Sequence, residues 1–349
     1  MSVEEASQQP PVFEDSKLPH AHGGPLGSGR IRVSQSDFRV EEQLSFEPDG
    51  EGGHCFLYVE KWGANTPWVA GQLARLAGVG KGDVGYAGLK DRHAVTRQWF
   101  SVPAGDQDPM SWSLEDARVL KVVRHRKKLR TGSLSGNHFS LVVRDVEAGE
   151  DELDRRLAVV ASLGVPNYYG PQRFGRDGDN VCRLLNGKLP RRNPLRGILL
   201  SAGRSWLFNT ILAERVEADT WCRPVPGDLM ILDGSRSHFQ AASDDTALAD
   251  RCRRGDVHPS GALWGEGDSP AGEVVAQLEN AVASRWPAVV AKLETARMKQ
   301  DRRPLRLPVR ELQWTRDGEA LRLRFFLPAG GFATTVLREI FDIEEAEHD

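Results

Sequence analysis

The chain has 349 residues, of which 40% are hydrophobic, enough for ordinary cores in about two domains. Its formal charge of −3 excludes a global field that would announce a polyanionic partner, so any nucleic-acid site must come from local clustering. Cys55, Cys182, Cys222 and Cys252 form no CxxC pair, no apolar run is long enough to span a bilayer, and MSVEEASQQPP lacks the basic and apolar regions of a signal peptide; together these point to a cytoplasmic protein with reduced thiols.

Residues 1–29 are rich in Pro, Gly, Ser and His and read as a flexible lead. Residues 30–47 alternate in β fashion around Ile31, Val33, Phe38 and Val40, and HCFLYVEKW at 54–62 reads as a second strand. A helix opens at Asn65-Thr66-Pro67, with Thr66 as N-cap and Pro67 at its first position; Val69, Leu73 and Leu76 form its apolar face, and Gly78 ends it. GVGKGDVG lacks the GK[ST] ending of a phosphate loop and follows a helix instead of a strand, so it is rejected as one.

GYAGLKDRHAVTRQWFSVP at 85–103 reads as strand–loop–strand, with Gly85 and Gly88 loosening the backbone. It sets one acid, Asp91, between Lys90 and Arg92, beside His93. Neighbouring cations favour the carboxylate form, and such a carboxylate on a loop could be a nucleophile, a general base or one half of a surface salt bridge. A strand candidate, ARVLKVVRHRKKLRTG, then NHFSLVVRDV at 137–146 and a helix DELDRRLAVVASLG follow. From Ala117 to Arg144 there are eight basic residues and no acid, and alternation would send Arg124, Arg126 and Lys128 to one strand face. That stripe suits RNA phosphates, or a charged edge strand guarded against aggregation. A second basic run comprises Arg183, Lys188, Arg191, Arg192 and Arg196.

Residues 165–200 are rich in Gly, Arg, Asn and Pro, and helical patterns follow at 201–219, 242–254 and 272–298. ELQWTRDGEALRLRFFLP reads as a hairpin about Asp317-Gly318, leading into a glycine turn and a last helix, GGFATTVLREIFDIEE. The order strand-rich, helix-rich, strand-rich predicts a mainly helical domain inserted into an α/β one. Phe139 and Phe332 stand near glycines, where a ring could stack on an unstacked base or serve as core.

These segments together resemble the TruD family of tRNA pseudouridine synthases. The matching strings are DFRVEE at 37–42, FEPDGEGGH at 46–54, YAGLKDRHAVTRQWF at 86–100, RHRKKLRTGSLSGNHFSLVVRDV at 124–146, VPNYYGPQRFGRDGDN at 165–180 and LPAGGFATTVLRE at 327–339. The resemblance implies an α/β (α+β) fold: a pseudouridine-synthase-type catalytic domain, 30–162 and 307–349, with a mixed, helix-rich TRUD domain inserted at 163–306. It implies isomerisation of uridine 13 of tRNA to pseudouridine, without metal or organic cofactor. The implied partner is tRNA, around its D arm, with no membrane and no obligatory protein partner. Asp91 becomes the essential carboxylate, Lys90 and Arg32 the cations that keep it ionised, and Phe38, Asn137, Phe139 and Phe332 the substrate contacts, with Phe139 stacking on the uracil. The family more often has Lys at the position of Arg32.

Other classes fit less of the sequence. A non-catalytic RNA-binding protein explains the bases and aromatics but not an acid in a polyanion cleft. A glycosidase-like hydrolase needs two carboxylates flanking one bond, and no second acid stands beside Asp91. A nucleotide-dependent enzyme lacks its phosphate loop.

Overall fold

The computed structural model describes residues 12–187, 189–190, 194–235, 237–242 and 245–346. The chain folds as two units. One takes Pro25–Ser162, Val309–Ala333 and the residues from Ile340 on; the other takes Leu163–Pro308, Thr334–Glu339 and the residues up to Gly24.

The first unit begins with β1 (Ser28–Ile31), β2 (Phe38–Leu44), β3 (His54–Lys61), α1 (Thr66–Leu76), β4 (Gly85–Tyr86), β5 (Val95–Pro103), β6 (Ala117–His125), β7 (Leu134–Val143) and α2 (Glu150–Leu163). The second contributes β8 (Val165–Pro166), α3 (Asn180–Asn186), α4 (Pro194–Glu217), β9 (Leu229–Leu232), β10 (His238–Gln240), α5 (Leu248–Arg254), β11 (Val257–Leu263), α6 (Glu273–Arg285), α7 (Pro287–Thr295), β12 (Asp301–Pro304) and β13 (Arg306–Leu307). The chain then adds β14 (Arg310–Asp317), β15 (Ala320–Pro328), the short α8 (Ala333–Leu337) and β16 (Asp342–Glu345).

The first unit is built on a mixed sheet ordered β14-β15-β7-β2-β5-β3-β6, with β4 pairing to β5. Only β2 and β5 run parallel; every other pair in this sheet is antiparallel. Alternation of buried and more exposed residues along β2, and along β15 from Ala320 to Phe325, marks one covered and one open face. On the covered face Cys55, Leu57 and Val59 of β3 and Phe100 and Val102 of β5 pack with Val69, Leu73 and Ala74 of α1. β1 and β16 pair in parallel as a separate ribbon.

In the second unit a sheet ordered β10-β9-β11-β12 carries the helices, and β8 pairs with β13, so its first and last segments lie side by side. The second unit is stapled by a buried pair in which both guanidinium Nη atoms of Arg215 donate to the Asp228 carboxylate, at 2.7 and 2.9 Å.

Four sequence expectations change. Over its described part the flexible lead is packed: Phe13 is buried and stacks on Phe174 at 3.9 Å between centroids, and the buried Glu339 carboxylate accepts from the amides of Ala21 and His22. The single strand at 30–47 is two, because Arg32 takes φ 59° and a 3-10 turn at Gln35–Asp37 intervenes. The strand over 117–132 stops at His125. The last helix spans only Ala333–Leu337, and the chain returns as β16. Lys188, Arg191 and Arg192 of the second basic run lie outside the described residues.

Candidate active site

The loop between β4 and β5 is fixed at nearly every residue. Gly85 is less a loosened hinge than a close approach: a Cβ there would sit 2.3 Å from the Leu129 carbonyl oxygen. Gln98 donates to the Gly88 carbonyl at 3.1 Å. Thr66 is the first residue of α1, and Asn65 precedes it as N-cap. Instead of capping, the buried Thr66 hydroxyl donates to Gln98 and accepts the amide of Lys90, at 2.9 and 3.0 Å. Arg92 Nε donates to the Gly63 carbonyl at 3.1 Å.

Asp91 stands at the centre of this loop. Its Oδ2 meets Arg32 Nη2 at 2.5 Å, and its Oδ1 accepts the His93 amide at 3.0 Å. Its side chain remains 29% exposed, so a ligand can reach it. The left-handed φ of Arg32 carries the guanidinium back over the Phe38 ring, 4.3 Å from its centroid. The same fork reaches Glu345 of β16, Nη1 to Oε2, at 2.7 Å. One planar cation therefore serves two acids, a geometry that suits Arg better than Lys.

Lys90 lies elsewhere than expected. Its ammonium is paired with buried Glu42 at 2.5 Å, and the other Glu42 oxygen accepts the Trp99 amide at 3.1 Å. The second cation at Asp91 is Lys61, fully buried at the end of β3. Its Nζ donates to the backbone carbonyls of Asp91 and Ala64, at 2.7 and 2.8 Å. Burial pushes the Lys61 ammonium down to about 8, with Asp91 pulling it up and Lys90 pressing it down. Glu42, Lys61 and Glu345 carried no sequence signal as site residues beyond Glu42's place in DFRVEE.

Sheet register brings three of the expected substrate contacts, Phe38, Asn137 and Phe139, to the covered face. Glu42 is opposite Asn137, Val40 opposite Phe139, and Asn137 opposite Leu327. Asn137 Oδ1 is buried and accepts no hydrogen bond from the described residues. An unpaired amide oxygen is costly unless a ligand supplies a donor. Phe38 and Phe139 are buried; they meet edge to face at 6.2 Å, and Phe139 stacks on Phe325 at 5.4 Å. Phe139 is thus already stacked within the protein, whereas Phe332 is only partly buried, after a turn in which Gly330 takes φ 85°.

The basic stripe is not one strand face. Arg124 is exposed near the end of β6, the outermost strand of the sheet. Arg126, past the strand, pairs with Glu51, and Lys128 donates to the Gly82 carbonyl. Arg118 and Arg144 of the acid-free segment also find acids from other elements, Glu60 and Asp37.

The site thus combines an acid pinned on a loop beside an arginine with an amide oxygen that has no partner among the described residues. The model of the tRNA pseudouridine synthase D (TruD) family matches residues 21–181 and 187–340. A tRNA pseudouridine synthase D of Nitrosococcus oceani is 48% identical over 338 residues, 93% of this chain and 94% of that one. Another, from Methylococcus capsulatus, is 45% identical over 342 residues, 96% of each. The crystal structure of the TruD protein from Methanosarcina mazei superposes with a TM-score of 0.74 at 22% identity, over 93% of this chain and 96% of that one. The chain belongs to the tRNA pseudouridine synthase D family.

Proposed function

We propose that the chain isomerises uridine 13 of tRNA to pseudouridine, engaging the D arm in the cytoplasm, with Asp91 as the essential carboxylate. The observation that carries this reading is the placement of Asp91: ion-paired to Arg32, held through its own carbonyl by Lys61, and still 29% exposed. Unlike Asp228, which its partners enclose completely, Asp91 keeps an open edge that a ligand can reach. None of the described helices is long and apolar enough to cross a membrane.

The reaction breaks the N1–C1′ bond, turns the uracil, and joins C5 to C1′. The proton leaves C5 and N1 gains one, so the product is an isomer. Asp91 either attacks the sugar carbon or takes a proton from the sugar; both routes need an unprotonated carboxylate held still. Arg32 and Lys61 supply the positive surroundings, and the loop's hydrogen bonds remove the freedom the acid would otherwise lose on binding. The target base is flipped out at a cost of a few kcal/mol, repaid by stacking and edge contacts. Asn137 offers its unpaired Oδ1 to the imide N–H of uracil and its amide N–H to a carbonyl. Phe332 supplies the partly exposed ring.

Release of tritium from C5-labelled uridine in tRNA tests the reading. The wild-type chain is expected to release it without added cofactor, and Asp91→Asn to bind tRNA without release. Tritium release by pure Asp91→Asn protein at more than a trace of the wild-type rate would remove Asp91 from its role. Binding without release by the wild type would favour a non-catalytic RNA-binding protein.

A further inference from the structure

Within the first unit, an open pocket of ≈ 480 Å³ lies on the face of the sheet opposite the Asp91 loop, lined by Ser34, Ser36, Arg39, Glu60, Trp62, Arg97 and Arg118. The strands' alternation places it there. Glu60 and Lys61 are consecutive in β3 and point to opposite faces: Lys61 holds the Asp91 carbonyl, and Glu60 enters the pocket. Arg97 alternates in the same way with Thr96 and Gln98, which are buried on the α1 side. The two loops that build the Asp91 site also build this rim. Arg32 contacts Asp91, while Ser34 to Ser36 line the pocket; Asp91 is followed by Val95, which also lines it.

The pocket's chemistry is specific. Trp62 is 36% exposed and offers a large indole to solvent. Arg97 Nε and Arg118 Nη2 donate to separate oxygens of the buried Glu60, at 2.9 and 2.6 Å, which fixes both forks. Burial alone would raise the Glu60 carboxyl, but the hydrogen bonds and charges of Arg97 and Arg118 outweigh it and hold the group below its ordinary value. Arg118 keeps 63% of its side chain exposed, and Arg39 is exposed with Nε on the Ser36 carbonyl at 3.4 Å. The Ser34 and Ser36 hydroxyls lie 2.6 Å apart at the rim. The lining brings together three guanidiniums, of Arg39, Arg97 and Arg118, and the Glu60 carboxylate, with Glu41 3.8 Å from Arg97. The balance is one positive charge. That fits the single charge of a phosphodiester, and not a polyphosphate, which would want a glycine-rich cradle of backbone amides. A flat aromatic, exposed guanidinium donors and the Ser34 and Ser36 hydroxyls suit an unpaired nucleotide's base, phosphate and sugar.

We infer that this pocket is a second RNA subsite, which holds an unpaired nucleotide of the tRNA with its base on Trp62 and its phosphate on Arg39 and Arg118, while another nucleotide of the same RNA lies at Asp91. The inference rests on the proposed tRNA substrate but not on Asp91's chemistry.

The test compares wild-type, Trp62→Ala, Trp62→Phe and Arg39→Gln chains on an unmodified tRNA transcript. It reads equilibrium binding, its salt dependence, melting temperature, and kcat and KM for pseudouridine formation. Loss of a stacked base should weaken binding about 5- to 100-fold in Trp62→Ala, with the loss in KM, and Trp62→Phe should recover most of it. Arg39→Gln should lower the slope of log affinity against log salt by about 0.7–0.9. Melting temperatures should stay near wild type, because both side chains are exposed. Unchanged tRNA affinity in Trp62→Ala and Arg39→Gln overturns the subsite, and leaves the pocket to a protein partner or to none. If Trp62→Phe binds as poorly as Trp62→Ala, stacking is overturned. A wild-type chain that binds tRNA without making pseudouridine defeats the proposed activity, and the binding comparison still decides the subsite.

Discussion

Each unit holds an arginine–aspartate pair, and the two are built to opposite ends. In the second unit, Arg215 gives both Nη atoms to Asp228 and further bonds to the Thr220 and Arg223 carbonyls; Asp228 also accepts the Val225 amide and has no exposure. In the first unit, Arg32 gives one Nη to Asp91 and the other to Glu345, its Nε is buried without a partner among the described residues, and Asp91 is 29% exposed. The saturated pair has no capacity left for a ligand. The unsaturated one leaves bonds unmade that a substrate can complete. Incomplete satisfaction, more than residue type, separates the site from the staple.

The largest expected effect breaks the comparison from the open side. Asp91→Asn should lower pseudouridine formation at least about 1,000-fold while its melting temperature stays near wild type. The converse is Asp228→Asn, which leaves Arg215 buried and unpaired. It should destabilise the fold by about 3–5 kcal/mol, or roughly 6–20 °C of melting temperature, with a normal rate per folded molecule. A calorimetric scan and a single-turnover assay on both variants decide whether the two pairs divide the work in this way.

Lys61→Met sharpens the comparison by removing a buried cation that touches only carbonyls. We expect kcat to fall about 10- to 100-fold with KM little changed, since the Asp91 carbonyl loses its anchor. The same residue gives a pH signature. Its folded value of about 8 lies below the ordinary 10.5, so between these values the unfolded chain binds more protons. Wild-type stability should therefore rise with pH through that window relative to Lys61→Met, measured as the difference in melting temperature at pH 8 and pH 10.

Phe332→Ala should reduce the single-turnover rate about 5- to 100-fold with a small change in melting temperature, as expected of a ring that stacks on a base. A drop equivalent to about 3–5 kcal/mol, with a normal rate per folded molecule, would mark Phe332 as core instead. The smallest effect is expected from Arg124→Ala. It should lower the salt slope of tRNA binding by no more than about one, because Arg126 and Lys128 are held by Glu51 and by the Gly82 carbonyl, whereas the Arg124 guanidinium meets no acid or carbonyl among the described residues. An unchanged slope would make β6 simply a charged edge strand.

By itself the sequence determined the features set by neighbours in the chain. Pro67 at the start of α1, the Asp317-Gly318 hairpin, the strand–loop–strand at 85–103 and Asp91 on its loop all follow from propensity, turn chemistry and alternation, which act over a few residues. Tertiary structure decided the rest. The partners of the site come from Arg32, 59 residues from Asp91, from Lys61, 30 residues away, and from Glu345, 313 residues from Arg32. KDR suggested that Lys90 would serve Asp91, yet adjacent side chains on a turn diverge, and Lys90 turned to Glu42, 48 residues distant. Thr66 looked like a cap because the helix began there; only the packing of α1 on β5 put Gln98 beside its hydroxyl. Phe139 and Phe332 looked alike beside their glycines, and register buried the first against Phe325 while the turn left the second partly open. Charge pairing and aromatic burial are long-range in the chain because sheet register, not sequence distance, sets which side chains meet.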